Sequence, residues 1–139
     1  MGIVEYFNGS PFRQLVGVEL IRATDGSAEG ELSLERKHSS NDRALIAQGG
    51  VTFTLLDSVG GAAAVSLVDR PTPTIDFHVD YLRPATSDLR ATAEVVRNGS
   101  ETALVAVECL DESGTTIATG RGLYKTSDLP ADAPWEIDE

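Results

Sequence analysis

Ten residues from Gln48 to Asp57, QGGVTFTLLD, carry the groups in this chain best suited to chemistry. Gly49 and Gly50 stand where a helix should begin, and Asp57 follows two turns further in. The first N–H groups of a helix have no partner within it and sit at its positive end, so they suit a developing negative charge. A carboxylate among apolar neighbours suits the work of a base or a nucleophile. Each group also has a plainer explanation. Paired glycines permit close packing, and Asp57 could be a structural carboxylate satisfied by Thr54 or Ser58.

The spacing limits how the two groups can cooperate. Gly49 and Asp57 are eight residues apart, roughly 12 Å along a helix that rises about 1.5 Å per residue. A reacting carbonyl must lie about 3 Å from both its oxyanion donor and the attacking group. One helix cannot meet both demands. If both residues act, the second comes from another copy of the helix, antiparallel across a two-fold axis, and a dimer carries two equivalent sites.

The elements that must hold these groups are legible in outline. Val51, Leu55, Val59, Ala62 and Ala63 recur at mostly helical spacing, which predicts a helix from about Gly49 to about Val68. The run Gly60-Gly61-Ala62-Ala63-Ala64 is unsuited to a solvated helix, because each glycine there costs about 1 kcal/mol. Small residues make sense if another backbone packs closely, so the helix is read as central, with Arg70-Pro71-Thr72-Pro73 as its stop. Before it, Leu15–Thr24 and Ala28–Glu35 read as strands about a turn at 24–27, and the first dozen residues as a short helix or a loop. After it, period two sets in at Thr74–Arg83. Ile75, Phe77, Val79 and Tyr81 face one way, and Thr74, Asp76, His78 and Asp80 the other. Strands at about 88–97, 102–110 and 115–125 follow, with Asn98-Gly99 as a hairpin signal. Four consecutive strands with short turns imply an antiparallel meander, and one buried helix implies an α+β layer arrangement.

Composition narrows the function classes. The 139 residues suit one domain over 1–125 and an acidic, loose tail over 126–139, in which Trp135 either docks on a neighbouring surface or stays mobile. A net charge of -11, from 22 acidic and 11 basic residues, argues against nucleic-acid binding and anionic membranes. Two lysines against nine arginines fit either a protein of high-salt cytoplasm or an ordinary acidic bacterial one. The single Cys109 reads as a buried apolar residue. No secretory leader is seen, and no apolar stretch is read as approaching the roughly 20 residues that span a bilayer, so a cytoplasmic location is expected. Two separated histidines and one cysteine offer no metal cluster. His38 is read as a surface loop residue, and His78 as hydrogen-bonded on a strand's polar face.

Three stretches together carry a family likeness: His38…Asn41…Gln48-Gly49-Gly50 with Leu56-Asp57, then Val79-Asp80-Tyr81-Leu82-Arg83-Pro84-Ala85, then Ala118-Thr119-Gly120-Arg121-Gly122. Over roughly residues 11–125 the chain resembles the hotdog-fold thioesterases, particularly the phenylacetyl-CoA thioesterase-like (PaaI-type) branch of the 4-hydroxybenzoyl-CoA thioesterase superfamily. The resemblance implies an antiparallel sheet wrapped around one long central helix. It also implies hydrolysis of an acyl-CoA thioester, without a cofactor, by a homodimer or homotetramer. Asp57 matches the catalytic carboxylate, the Gly49 N–H the oxyanion donor, Asn41 a polar residue holding water or thioester, and Thr74 a hydroxyl that positions the water. There are two departures. Gln48 replaces a usual His, and the loop from Asn41 to Gln48 is one residue longer, so either Asn41 or Asp42 fills the polar role. Gly50 joins Asp42 as a substrate contact, and Arg83 and Arg121 suit either CoA phosphates or surface salt bridges in so acidic a protein. A non-catalytic module that binds and senses acyl ligands is the second reading. A hotdog dehydratase ranks third, since the paired Asp and His it would want are not apparent.

Overall fold

The computed structural model describes residues 2–129; the tail beyond, with Trp135, lies outside them. Two short helices, α1 (Ile3–Asn8) and α2 (Pro11–Val16), precede strands β1 (Val18–Thr24) and β2 (Ser27–Leu32). A 3₁₀ turn over Arg36–His38 and a loop lead to α3 (Gly49–Val68), followed by β3 (Thr74–Tyr81), β4 (Leu89–Asn98), β5 (Thr102–Leu110) and β6 (Thr116–Lys125). The six strands form one sheet in the order β1-β2-β4-β5-β6-β3, with every neighbouring pair antiparallel. α3 lies against the inner face of this sheet. This is the hotdog arrangement that the residue patterns and the family likeness implied.

Three expectations about the frame need correction. Leu15 and Val16 belong to α2, not to a strand. Ser10 accepts a hydrogen bond from the Arg13 N–H, Pro11 opens the helix, and Gly17 closes it at φ 95°; these are ordinary start and stop signals. The meander covers only β4, β5 and β6, because β3 crosses the end of the sheet to pair with β6 as an edge strand. Hairpin turns are local signals, whereas the position of an edge strand depends on the whole sheet. Finally, α3 is itself long and apolar enough to cross a membrane, contrary to the reading of its composition. Its apolarity is explained by burial within the domain: Leu55, Leu56, Val59 and Ala62 through Val65 are all buried.

The small residues of α3 meet close neighbours. A Cβ on Gly60 would lie 2.6 Å from the Tyr124 hydroxyl and 3.1 Å from Val107. The sheet answers in kind. At Gly30 a Cβ would come within 2.6 Å of Val59, and at Gly122 within 2.5 Å of the Tyr124 ring. Gly60 and Gly30 thus let helix and sheet approach more closely than side chains would allow, and Gly122 leaves room within the sheet for the Tyr124 ring.

Cys109 on β5 is fully buried, as expected. Burial pushes its thiol up from 9.0 to about 12, and nearby Asp111 adds to the shift. The unfolded chain thus loses this proton first as pH rises, so its contribution to stability is whole below pH 9.0 and is lost towards pH 12. Two outcomes are expected. A thiol reagent at pH 8 should label the protein only after denaturant is added, and stability measured from pH 9 to 12 should fall less steeply in Cys109→Ala than in the parent.

Candidate active site

Asp57 is half-buried on α3, one turn ahead of the glycine pair at 60–61. Its carboxylate is held by partners that the sequence did not single out together. Thr74 donates its hydroxyl to Oδ1 at 3.0 Å. The Tyr124 hydroxyl lies 3.0 Å from the same oxygen and 3.1 Å from the Asp57 carbonyl oxygen. Oδ2 accepts no hydrogen bond from any described residue. Thr54 and Ser58 do not satisfy the carboxylate: Thr54 donates to the Gly50 carbonyl, and Ser58 accepts from the Arg13 Nε.

Thr74 reaches Asp57 because of a β-bulge. Strict alternation would put Thr74 on the outer face with Asp76, His78 and Asp80. The register shifts between Thr74 and Asp76, so Thr74 pairs with Tyr124 and Asp76 with Leu123. The extra residue, Ile75, turns Thr74 to the helix side, the usual effect of a bulge on side-chain aim. Tyr124 is buried, and that burial, reinforced by the Asp57 charge, raises its hydroxyl well above the ordinary tyrosine value. It therefore stays a neutral donor throughout the working pH range.

Arg13 is the second residue that the sequence did not single out. Its guanidinium stacks over Phe7 at 4.4 Å and donates to Ser58 Oγ at 3.1 Å. Burial lowers its pKa, while the charge of Asp57 pulls the other way. Arg13, Asp57, Thr74 and Tyr124 line one pocket of about 240 Å³, walled by Pro71 and Pro73. The Ser10-Pro11 start and Gly17 stop of α2 were the available signal for where Arg13 would sit.

Gly49 lies elsewhere. It lines a separate cleft of about 400 Å³ with Thr52, Tyr81 and Arg83. Tyr81 donates its hydroxyl to the Gly49 carbonyl at 2.7 Å. The N–H groups of Gly49 and Gly50, the first two of α3, have no acceptor among the described residues. Packing does not require glycine at 50, where a Cβ would meet nothing within 4 Å; at 49 a Cβ would come 3.3 Å from the Tyr81 hydroxyl. Gln48 is exposed at the helix start without a side-chain capping bond.

The loop residues form a third group. Asn41 accepts the Arg43 and Ala44 N–H groups at 2.9 Å each, and with Asp42 it lines a shallow pocket of about 170 Å³. The structure therefore brings Thr74 to Asp57 and Arg83 to Gly49, but does not bring Asn41 or Asp42 to either. Arg121 points to the outer face, in a groove of about 900 Å³ with Asp76, His78 and Asp80. His38 is buried, not a surface residue. Its Nδ1 accepts the Glu35 N–H at 2.8 Å, which leaves Nε2 to donate to the Val16 carbonyl. It ties the end of α2 to the loop before α3. His78 is exposed and bonded to Asp80 at 3.0 Å.

Comparison with known proteins agrees with this architecture. Residues 46–118 match the thioesterase superfamily, and the chain belongs to it. It is a thioesterase in both fold and sequence. A protein of Halobacterium salinarum bearing the name "Putative esterase" is 32% identical over 136 residues, spanning 88% of this chain and 89% of that one. The medium/long-chain acyl-CoA thioesterase YigI of Salmonella typhimurium is 29% identical over 130 residues, 82% and 84% of the two chains. Among solved structures, the phenylacetic acid degradation protein PaaI of Thermus thermophilus superposes with a TM-score of 0.75 at 25% identity, covering 84% of this chain and 98% of that one.

The contact between Gly60 and Tyr124 makes the Asp57 clamp testable. Gly60→Ala should cost on the order of 1–3 kcal/mol by overpacking, read from denaturant unfolding. In a double-mutant cycle with Tyr124→Phe, which removes the hydroxyl that the new methyl would strike, the two losses should fall short of additivity by on the order of 1 kcal/mol.

Proposed function

We propose that this protein hydrolyses an acyl-CoA thioester to the free acid and CoA, at a site shared between two subunits. The observation that carries this reading is the state of Asp57. Two hydroxyls hold Oδ1, while Oδ2 accepts no hydrogen bond from any described residue and Asp57 lines an open pocket. A carboxylate fixed at one oxygen and free at the other is oriented for reaction. The unbonded N–H groups at the start of α3 supply the complementary half, and they stand in a different cleft of the same subunit.

An antiparallel second copy brings the two halves together. The edge strand β3 is the natural place for it: an unpaired edge with Ile75 and Tyr81 more than half exposed invites pairing with another strand. In the assembled site the thioester carbonyl accepts the Gly49 N–H of one subunit and faces Asp57 of the other. In one route Asp57 takes a proton from water as the water oxygen bonds to the carbonyl carbon. The C–S bond then breaks, and the departing sulfur receives that proton. In the other, an Asp57 oxygen forms the new bond, CoA leaves, and water cleaves the mixed anhydride. Thr74 orients the carboxylate in both. Asn41 or Asp42 reaches the site from the loop, with Gln48 and Gly50 beside the donor. Arg83, at the Gly49 cleft, meets CoA phosphates; Arg121 joins it only if a further pairing to a tetramer folds the outer face over the ligand.

Asp57→Ala should abolish thiol release across an acyl-CoA panel while His78→Ala retains it; binding without turnover in the parent would instead favour a sensor. Single turnover in ¹⁸O-water should leave label on Asp57 if it is the nucleophile and water opens the anhydride at the Asp57 carboxyl carbon, whereas a base takes up none. Gly49→Pro removes the donor at a helix position that tolerates proline, and should be inactive alone. Mixed with Asp57→Ala, it should recover about one quarter of parental activity. Random pairing makes half the dimers mixed, each with one intact site of two. No recovery would overturn the shared site.

A further inference from the structure

The Asp57 pocket contains a cation that the hydrolytic steps do not use. Arg13 is the only basic residue lining it among the described residues. Three features fix its side chain: α2 carries it, Phe7 lies under its plane, and Ser58 takes its Nε. Its Nη1 and Nη2 groups donate to no described residue. It also forms no ion pair with Asp57, although it feels that charge. A half-buried guanidinium with one edge satisfied, and the other without a partner among the described residues, presents that edge to an acceptor in the pocket. The planar two-nitrogen edge suits a carboxylate or another strongly accepting oxygen.

Beyond Asp57 and the hydroxyls of Thr72, Thr74 and Tyr124, the wall is apolar or aromatic: Tyr6, Phe7, Val65 and the two prolines. A hydrocarbon acyl chain would satisfy these and leave Arg13 unpaired. On the reading that this is the acyl pocket of a thioesterase, we infer that Arg13 selects the acyl group, and that the preferred substrate ends in an oxygen acceptor, a carboxylate above all. Arg13 is then a specificity residue, acting at the end of the acyl group remote from the thioester.

The test compares a matched pair on the full-length protein: glutaryl-CoA against hexanoyl-CoA. The parent should favour glutaryl-CoA by on the order of 10- to 100-fold in kcat/KM. Arg13→Met should bring this ratio close to one, and Arg13→Lys should keep part of the preference. Because the readout is a ratio, a partly unfolded variant lowers both members equally and leaves it unchanged. A parental ratio near one, or an equal loss on both members in Arg13→Met, would overturn the assignment. Calorimetry with non-hydrolysable thioether analogues of the same pair separates the two ideas. Selective binding that depends on Arg13 without turnover would sink the hydrolase and keep the acceptor site; turnover without selectivity would do the reverse.

Discussion

An α-helix as apolar as α3 must bury most of its surface, and α3 packs on a sheet whose strands have given up side chains at the points of contact. Gly60 on the helix and Gly30 and Gly122 on the sheet each stand where a methyl group would collide with a neighbour. This close approach lets Tyr124, rooted in the sheet, place its hydroxyl on both the carboxylate and the carbonyl of Asp57. It also sets the cost of disturbance, since a close-packed interior has no slack to absorb a new methyl. The position of the acid thus follows from the packing of the core.

The same packing explains why a charged group can sit at the edge of so apolar a core. Asp57 is only half-buried, with two hydroxyl donors on one oxygen and the Arg13 charge nearby. A carboxylate in that setting keeps its hydrogen bonds without full desolvation. Tyr124 is held in its neutral form by burial, so the clamp does not itself titrate in the range where the protein works. His38 has a similarly fixed role: with one nitrogen accepting and the other donating to backbone, it holds α2 against the loop before α3, and so fixes Arg13 and Gly49 relative to each other.

Much of the frame was legible because it depends on local signals. The span of α3 follows from its periodicity and its proline stop, and β4 to β6 follow from alternation and hairpin turns. The pairing of β3 with β6 was not legible, because nothing near residues 74–81 says which strand will lie beside them. α2 was overlooked although Ser10-Pro11 and Gly17 frame it, since the apolar run from Leu15 also fits a strand. That reading hid Arg13.

By itself, the sequence determined that a carboxylate and a pair of glycines lie on one buried helix, too far apart to meet. Periodicity and helical rise are properties of the chain alone, and they were sufficient for that. Tertiary structure alone decided which groups surround the acid. Thr74 was read onto the outer face and is turned inward by a bulge at Ile75. Tyr124, 67 residues away, arrives through strand register and the absence of side chains at Gly60 and Gly122. Register and close approach are set by the sheet as a whole, so no window of sequence contains them.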